Sequence, residues 1–153
     1  MIMIDMAGCA ATDYMQTLVD RLHDGGFTLV VANGDDIYGF TRRGVADLHE
    51  LLTSRPHLLR GAWIADKVVG KAAAALMILG GVKRVHTDVI SSLALSLFAA
   101  YDIDVTYTRE VPHVINRAGD GWCPMEIRCR DKSTPEECFA AVTDFLNRIK
   151  SGK

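Results

Sequence analysis

Two short stretches hold the residues whose types and spacing could do chemistry. The first is Ala65-Asp66-Lys67-Val68-Val69-Gly70-Lys71, which leads into a long apolar run. The pattern predicts a helix over residues 67–79, with Asp66 as the N-cap that accepts free backbone N–H groups of the first turn. Lys67 and Lys71 then stand four apart on one face, at the positive end of the helix dipole. Cations there are unfavourable by roughly 0.3–1 kcal/mol each when exposed, so two of them point to an anion opposite. The N–H groups of a helix start already bind phosphate and carboxylate, and two ammonium groups strengthen such a site. Gly70 between them costs about 0.5–1 kcal/mol against alanine and lets another backbone or a ligand come close. The structural alternative is that both lysines extend to solvent and Asp66 only caps.

The second stretch is Asn116-Arg117-Ala118-Gly119-Asp120-Gly121-Trp122-Cys123-Pro124-Met125-Glu126. Its first part has the composition of a tight polar loop. Its last four residues have the form of a helix start, with proline at the first position, Glu126 at the third and Cys123 at the cap. A thiol at a helix N-terminus gains thiolate character from the dipole, and Arg117 would add to it. Cys123 is therefore the candidate nucleophile and Glu126 its candidate proton acceptor. The alternative is a small apolar residue tucked under a loop.

The remaining candidates carry less. Cys138 falls on the core stripe of the last helix, Cys9 lies near the N-terminus, and Cys129 follows Cys123 at a spacing that matches no common zinc site. The five histidines are scattered, with no pair four apart. Asp35-Asp36 reads as a solvated hairpin tip. Neither a dinucleotide fingerprint nor a phosphate-binding P-loop nor a nucleophile elbow is present.

These residues must be positioned by an alternation of strands and buried helices. A first helix capped by Thr12 shows Tyr14, Leu18 and Leu22 on one face and ends at Gly25-Gly26. Residues 27–33 and 37–41 form a hairpin through Asn33-Gly34. A helix over 45–54, a strand over 61–65, the apolar helix over 67–79 and a strand over 82–90 follow. Ser91 or Ser92 caps a further apolar helix over 93–101, and strands are expected at 103–108 and 111–116. A helix that is apolar on every side is buried, here against a sheet. Thr134-Pro135-Glu136-Glu137 opens a last helix to about residue 150, with an N-cap, a first-turn proline and a capping-box glutamate. Together these give one domain over residues 1–153, with 1–11 as a tail and 134–150 as the closing helix. The sheet is expected to be mixed, of about five strands, with helices on both faces.

Composition limits the partners. The chain has 153 residues, 49% hydrophobic and 24% charged, and its 17 cationic and 19 acidic side chains leave a net charge of −2. Intrinsic disorder is excluded, and no basic field calls for nucleic acid. The longest uncharged run, Val89 to Tyr101, is too short for the roughly 20 residues that cross a bilayer. Residues 1–11 are apolar but lack a positive leading segment, so no signal peptide is expected. Four cysteines in a chain able to build its own core point to a reducing cytoplasm.

The stretch Ala65-Asp66-Lys67-Val68-Val69-Gly70-Lys71-Ala72-Ala73-Ala74 resembles the signature of an uncharacterised prokaryotic family, a domain of unknown function with a cytidine-deaminase-like fold. Asn116-Arg117 and Cys123-Pro124-Met125-Glu126 are similar to that family's second signature. The resemblance spans roughly residues 27–126 and implies a three-layer α/β/α frame with its site beyond the carboxyl ends of the strands. Deaminases of that frame hold zinc through His or Cys before a Glu at one helix start, and through Pro-Cys-x-x-Cys at the next. Here those places read Ala65-Asp66-Lys67 and Ile90-Ser91-Ser92-Leu93, so no metal and no cofactor is expected, and zinc-dependent deamination is disfavoured.

The resulting expectation is a metal-independent site for an anionic small molecule or a nucleotide. Asp66, Lys67, Lys71, Ser91, Ser92, Asn116 and Arg117 would form it, with Cys123 and Glu126 as its reactive pair. A competing expectation is a non-catalytic interaction or oligomerisation domain whose polar residues stabilise loops, and a third is a redox sensor acting through Cys123 and Cys129. A homo-oligomer is compatible with each.

Overall fold

The computed structural model describes residues 2–42 and 45–152, with side chains for residues 13–42 and 45–150. Helix α1 spans Ile2–Asp24 and carries Arg21 and His23 in its last turn, where cations complement the dipole. It starts well before Thr12, which therefore lies inside the helix instead of capping it. Residues 2–11, expected as a tail, continue the helix, as their run of Met, Ile and Ala allows. The chain then forms β1 (Leu29–Asn33), β2 (Asp36–Phe40), α2 (Ala46–Ser54), a short 3-10 turn (Pro56–Leu58), β3 (Trp63–Val69), α3 (Lys71–Gly80), β4 (Arg84–Ser91), α4 (Ser92–Phe98), β5 (Asp104–Val111), α5 (Pro124–Cys129) and α6 (Pro135–Gly152).

The five strands make one mixed sheet in the order β2-β1-β3-β4-β5. Strand β1 is antiparallel to both of its neighbours, while β3, β4 and β5 run parallel. Side chains alternate across β1, so Val30 and Ala32 join Ala65 beneath Leu18 and Leu22 of α1. Leu29 and Val31 point the other way, into a larger core with Ile64, Val85, Leu76 and Met77. Helix α3 lies at the centre of that core, buried from Lys71 through Met77 and packed by α2, α4, α5 and α6. Burying a side chain such as Leu76 completely contributes about 1.5–3 kcal/mol. Gly81, left-handed at φ 78°, ends α3, and its N–H bonds the carbonyl of Ile78 while Val82 N–H bonds that of Met77.

Two further stretches differ from expectation. The strand read over residues 61–65 and the helix read over 67–79 divide at Gly70, because β3 continues through Val69. Asp66, Val68 and Val69 pair in register with Thr87, Val89 and Ile90. The β-branched pair Val68-Val69 suits that ladder, and Gly70 is extended at φ −100° and ψ −175° before α3 begins at Lys71. Residues 111–116, expected as a strand, contribute only the end of β5 and one isolated bridge between Ile115 and Trp122. Pro112 cannot donate to a ladder, and the chain turns back on itself instead. The capping box of α6 is present: Glu137 N–H bonds Thr134 Oγ1 at 3.1 Å, and Thr134 N–H bonds Glu137 Oε1 at 3.1 Å. No helix among the described residues is long and apolar enough to cross a membrane.

Candidate functional site

The carboxyl ends of β3 and β4 bring the starts of α3 and α4 together with α5 and the loop before it. At the start of α3 the acceptor comes from far along the chain. Lys71 N–H donates to Glu126 Oε1 at 2.8 Å, and Val114 N–H donates to Glu126 Oε2 at 2.9 Å. Glu126 is 2% exposed, so its carboxylate is an internal anion at the positive end of a buried helix. Gly70 permits this approach, since a Cβ there would lie 3.1 Å from both Glu126 Cδ and Val114 Cγ2.

Lys71 returns the contact. Its ammonium donates to the carbonyls of Lys132 at 2.6 Å and Arg130 at 3.2 Å, just past the end of α5. A cation there complements the negative end of α5 and satisfies carbonyls that the helix leaves unpaired. Backbone and side chain of one residue, Lys71, are thus joined to the two ends of α5.

Lys67 is not part of this arrangement. Because β3 continues to Val69, Lys67 is an exposed strand residue and shares no helix face with Lys71. Asp66 likewise is not an N-cap. It is buried in β3 between Leu29 and Thr87 in register, and its Oδ1 accepts the N–H of Lys67 at 2.8 Å. Burial raises its carboxyl to about 7, the N–H groups of Lys67 and Val68 oppose the rise, and the nearby charge of Asp88 adds to it.

The other expected residues have partners within the chain. Ser91 Oγ accepts Ala94 N–H at 3.1 Å and caps α4. Ser92 Oγ donates to Glu110 Oε2 at 2.7 Å. Asn116 shapes the polar loop, its Oδ1 accepting from Gly119 N–H at 2.8 Å and Asp120 N–H at 3.2 Å. Arg117 is exposed on that loop. Cys123 occupies the N-cap position of α5, half-buried, and its thiol makes no cap hydrogen bond.

Cys129 and Cys138 are both buried, and Cys129 Sγ lies 4.0 Å from the Cys138 carbonyl oxygen. The neighbouring Cys138 side chain, together with burial, pushes the Cys129 thiol up. Cys129 therefore neighbours Cys138 on α6, and Cys138 sits in the core as its helical spacing predicts. The side chain of Cys9 lies outside the described residues. Among the described residues, no group of three or more His, Cys, Asp and Glu side chains could hold a metal ion.

One cluster has no counterpart in the sequence pattern. His113 stacks on Trp122 with ring centroids 4.0 Å apart and an interplanar angle of 11°, and the Arg130 guanidinium lies 5.2 Å from the Trp122 ring centre. The loop thus rests on the exit of α5 through its rings. Both rings sit on the segment between β5 and α5, but no spacing rule brings them together. A cavity of about 390 Å³, lined in part by Ile78, Gly81, Lys83, Tyr101 and Asp102, lies at the opposite, amino ends of β4 and β5.

Fold and site together define an α/β domain whose central helix start is locked by an internal Lys–Glu clamp. The chain belongs to the DUF1893 family, a domain of unknown function, whose family model matches residues 17–146. That span takes in both strand-to-helix junctions and the whole of α5. A solved structure of a DUF1893 family protein, TM1506 from Thermotoga maritima, is similar, with a TM-score of 0.79 and 27% identity over 85% of this chain and 88% of that one. Among curated proteins none matches.

Proposed function

We propose that the chain is a non-catalytic interaction or oligomerisation domain on a cytidine-deaminase-like frame, in which the residues at the deaminase reaction centre hold the structure together. The observation that carries this reading is the use made of Lys71 and Glu126. Both carboxylate oxygens accept backbone N–H groups, and the ammonium donates to two carbonyls. A general base or an anion-binding cation has to offer these same atoms to a substrate. The element order supports the frame: a helix, a hairpin, then strands alternating with buried helices in one mixed sheet.

The zinc of such a frame does not suit the residues present. The β3 junction carries Gly70 and Lys71, and the β4 junction carries Ser91 and Ser92. Neither supplies a thiolate or an imidazole, and an ammonium group repels a metal cation.

Thermal-shift measurements separate this reading from the anion site. Lys71→Met is expected to lower stability by about 2–3 kcal/mol in anion-free buffer, because it removes two charge-assisted, part-buried bonds to backbone carbonyls. Nucleotides and sugar phosphates are expected to leave the wild-type melting temperature unchanged. A rise that follows RT ln(1 + [L]/Kd) and disappears in Lys67→Ala or Arg117→Ala would overturn the reading in favour of an anion site on those exposed cations.

A further inference from the structure

The sheet has two edges, and they are treated differently. Strand β2 is five residues long, includes Gly39, and turns Tyr38 and Phe40 into the core. Strand β5 is eight residues long, pairs with β4 at one constant offset from Asp104 to Tyr107 and from Arg109 to Val111, and contains neither proline nor glycine. Thr106, Tyr107, Thr108, Arg109 and Glu110 are exposed in succession, with Tyr107 at 41%. It is the last strand in the sheet order, so among the described residues its outer side has no strand partner. A long, regular, exposed edge is a template for another strand, and proteins that do not use it shorten, kink or cover it.

We infer that β5 pairs antiparallel with β5 of a second copy of this chain, joining two five-stranded sheets into one across a two-fold axis at Thr108. The occupant follows from symmetry and charge. A two-fold axis normal to the sheet must pass through a residue, so that side chains facing one side meet others facing the same side. Centred on Tyr107, the pairing sets Asp104 against Glu110 of the second copy, and like charges directly opposite are destabilising. Centred on Thr108, it sets Val105 against Val111, Tyr107 against Arg109 and Thr106 against Glu110, with no like charges facing. The first pair is apolar, and the second places a guanidinium beside an aromatic ring, twice per dimer. The pairing is independent of the clamp at α3 and stands whether or not that site is catalytic.

Sedimentation of the full chain tests it. Wild type is expected to be a dimer at high concentration. Thr108→Lys places two ammonium groups face to face on the axis and is expected to raise the dimer Kd roughly tenfold or more. Circular dichroism and melting temperature check that the exposed substitution leaves the fold intact. Thr108→Cys is expected to give a disulfide-linked dimer on mild oxidation, beyond whatever wild type gives, because residue 108 meets its own copy. A monomeric wild type would overturn the proposal. So would a dimer that Thr108→Lys does not weaken and Thr108→Cys does not link.

Discussion

Two strand-to-helix junctions lie side by side where β3 and β4 end, and each must satisfy free N–H groups at the start of a helix. At the β4–α4 junction the acceptor is local, with Ser91 Oγ bonding Ala94 N–H three residues on. At the β3–α3 junction the N-cap is Gly70, which has no side chain to offer, and the acceptor is Glu126, 55 residues beyond Lys71. The strands just before them differ in the same way. Thr87 Oγ1 donates to Val89 carbonyl two residues on, while its register partner Asp66 is a buried acid with no basic side chain among the groups that set its titration. One junction is thus completed by its own sequence, and the other only by the tertiary fold.

Glu126→Ala should separate the junctions most widely. It strands the buried N–H of Lys71 and the part-buried N–H of Val114, at about 1–3 kcal/mol each, so a loss of about 2–6 kcal/mol is expected in urea unfolding. An effect no larger than that of a lost local cap would erase the contrast.

Asp66→Asn comes next. The Asp66 carboxyl is raised above its unfolded value, so its contribution to stability is full below about pH 4 and is lost as pH climbs to about 7. The asparagine variant lacks that loss. It should therefore gain on wild type by a few kcal/mol on the order of the shift when urea midpoints at pH 5 and pH 8 are compared. Parallel profiles for the two proteins would show that burial does not control this acid.

Ser91→Ala should cost about 1 kcal/mol, the worth of an ordinary N-cap. Smallest of all is Lys67→Ala, expected within about 0.5 kcal/mol of wild type because the side chain is exposed on β3. A large loss there would mean that Lys67 holds structure after all.

The two junctions also explain what the sequence discloses. Ser91 as a cap and the Thr134–Glu137 box are legible because donor and acceptor sit within one turn. So is the sheet's composition, from the alternation of strands with apolar helices. Cys123 at the start of α5 follows from the proline and glutamate behind it. The β3–α3 boundary was not legible, because Asp66 and Lys67 imitate a helix start while Val68 and Val69 complete a strand ladder fixed only by β4. Lys71 and Glu126 both stand out in the sequence by their chemistry, but their bonding to each other's helices depends on how the chain returns after β5. No local pattern encodes that return, and none pairs His113 with Trp122.

The clamp has a consequence for synthesis. A ribosome delivers Lys71 long before Glu126, and Lys132 later still, at about 5–20 residues per second. During that interval the central helix start has no carboxylate partner, although all five strands have been made by residue 111. The sheet can form first, yet the core that surrounds α3 closes only when α5 and α6 arrive. A chain halted between β5 and α5 would carry a complete sheet around an unfinished centre.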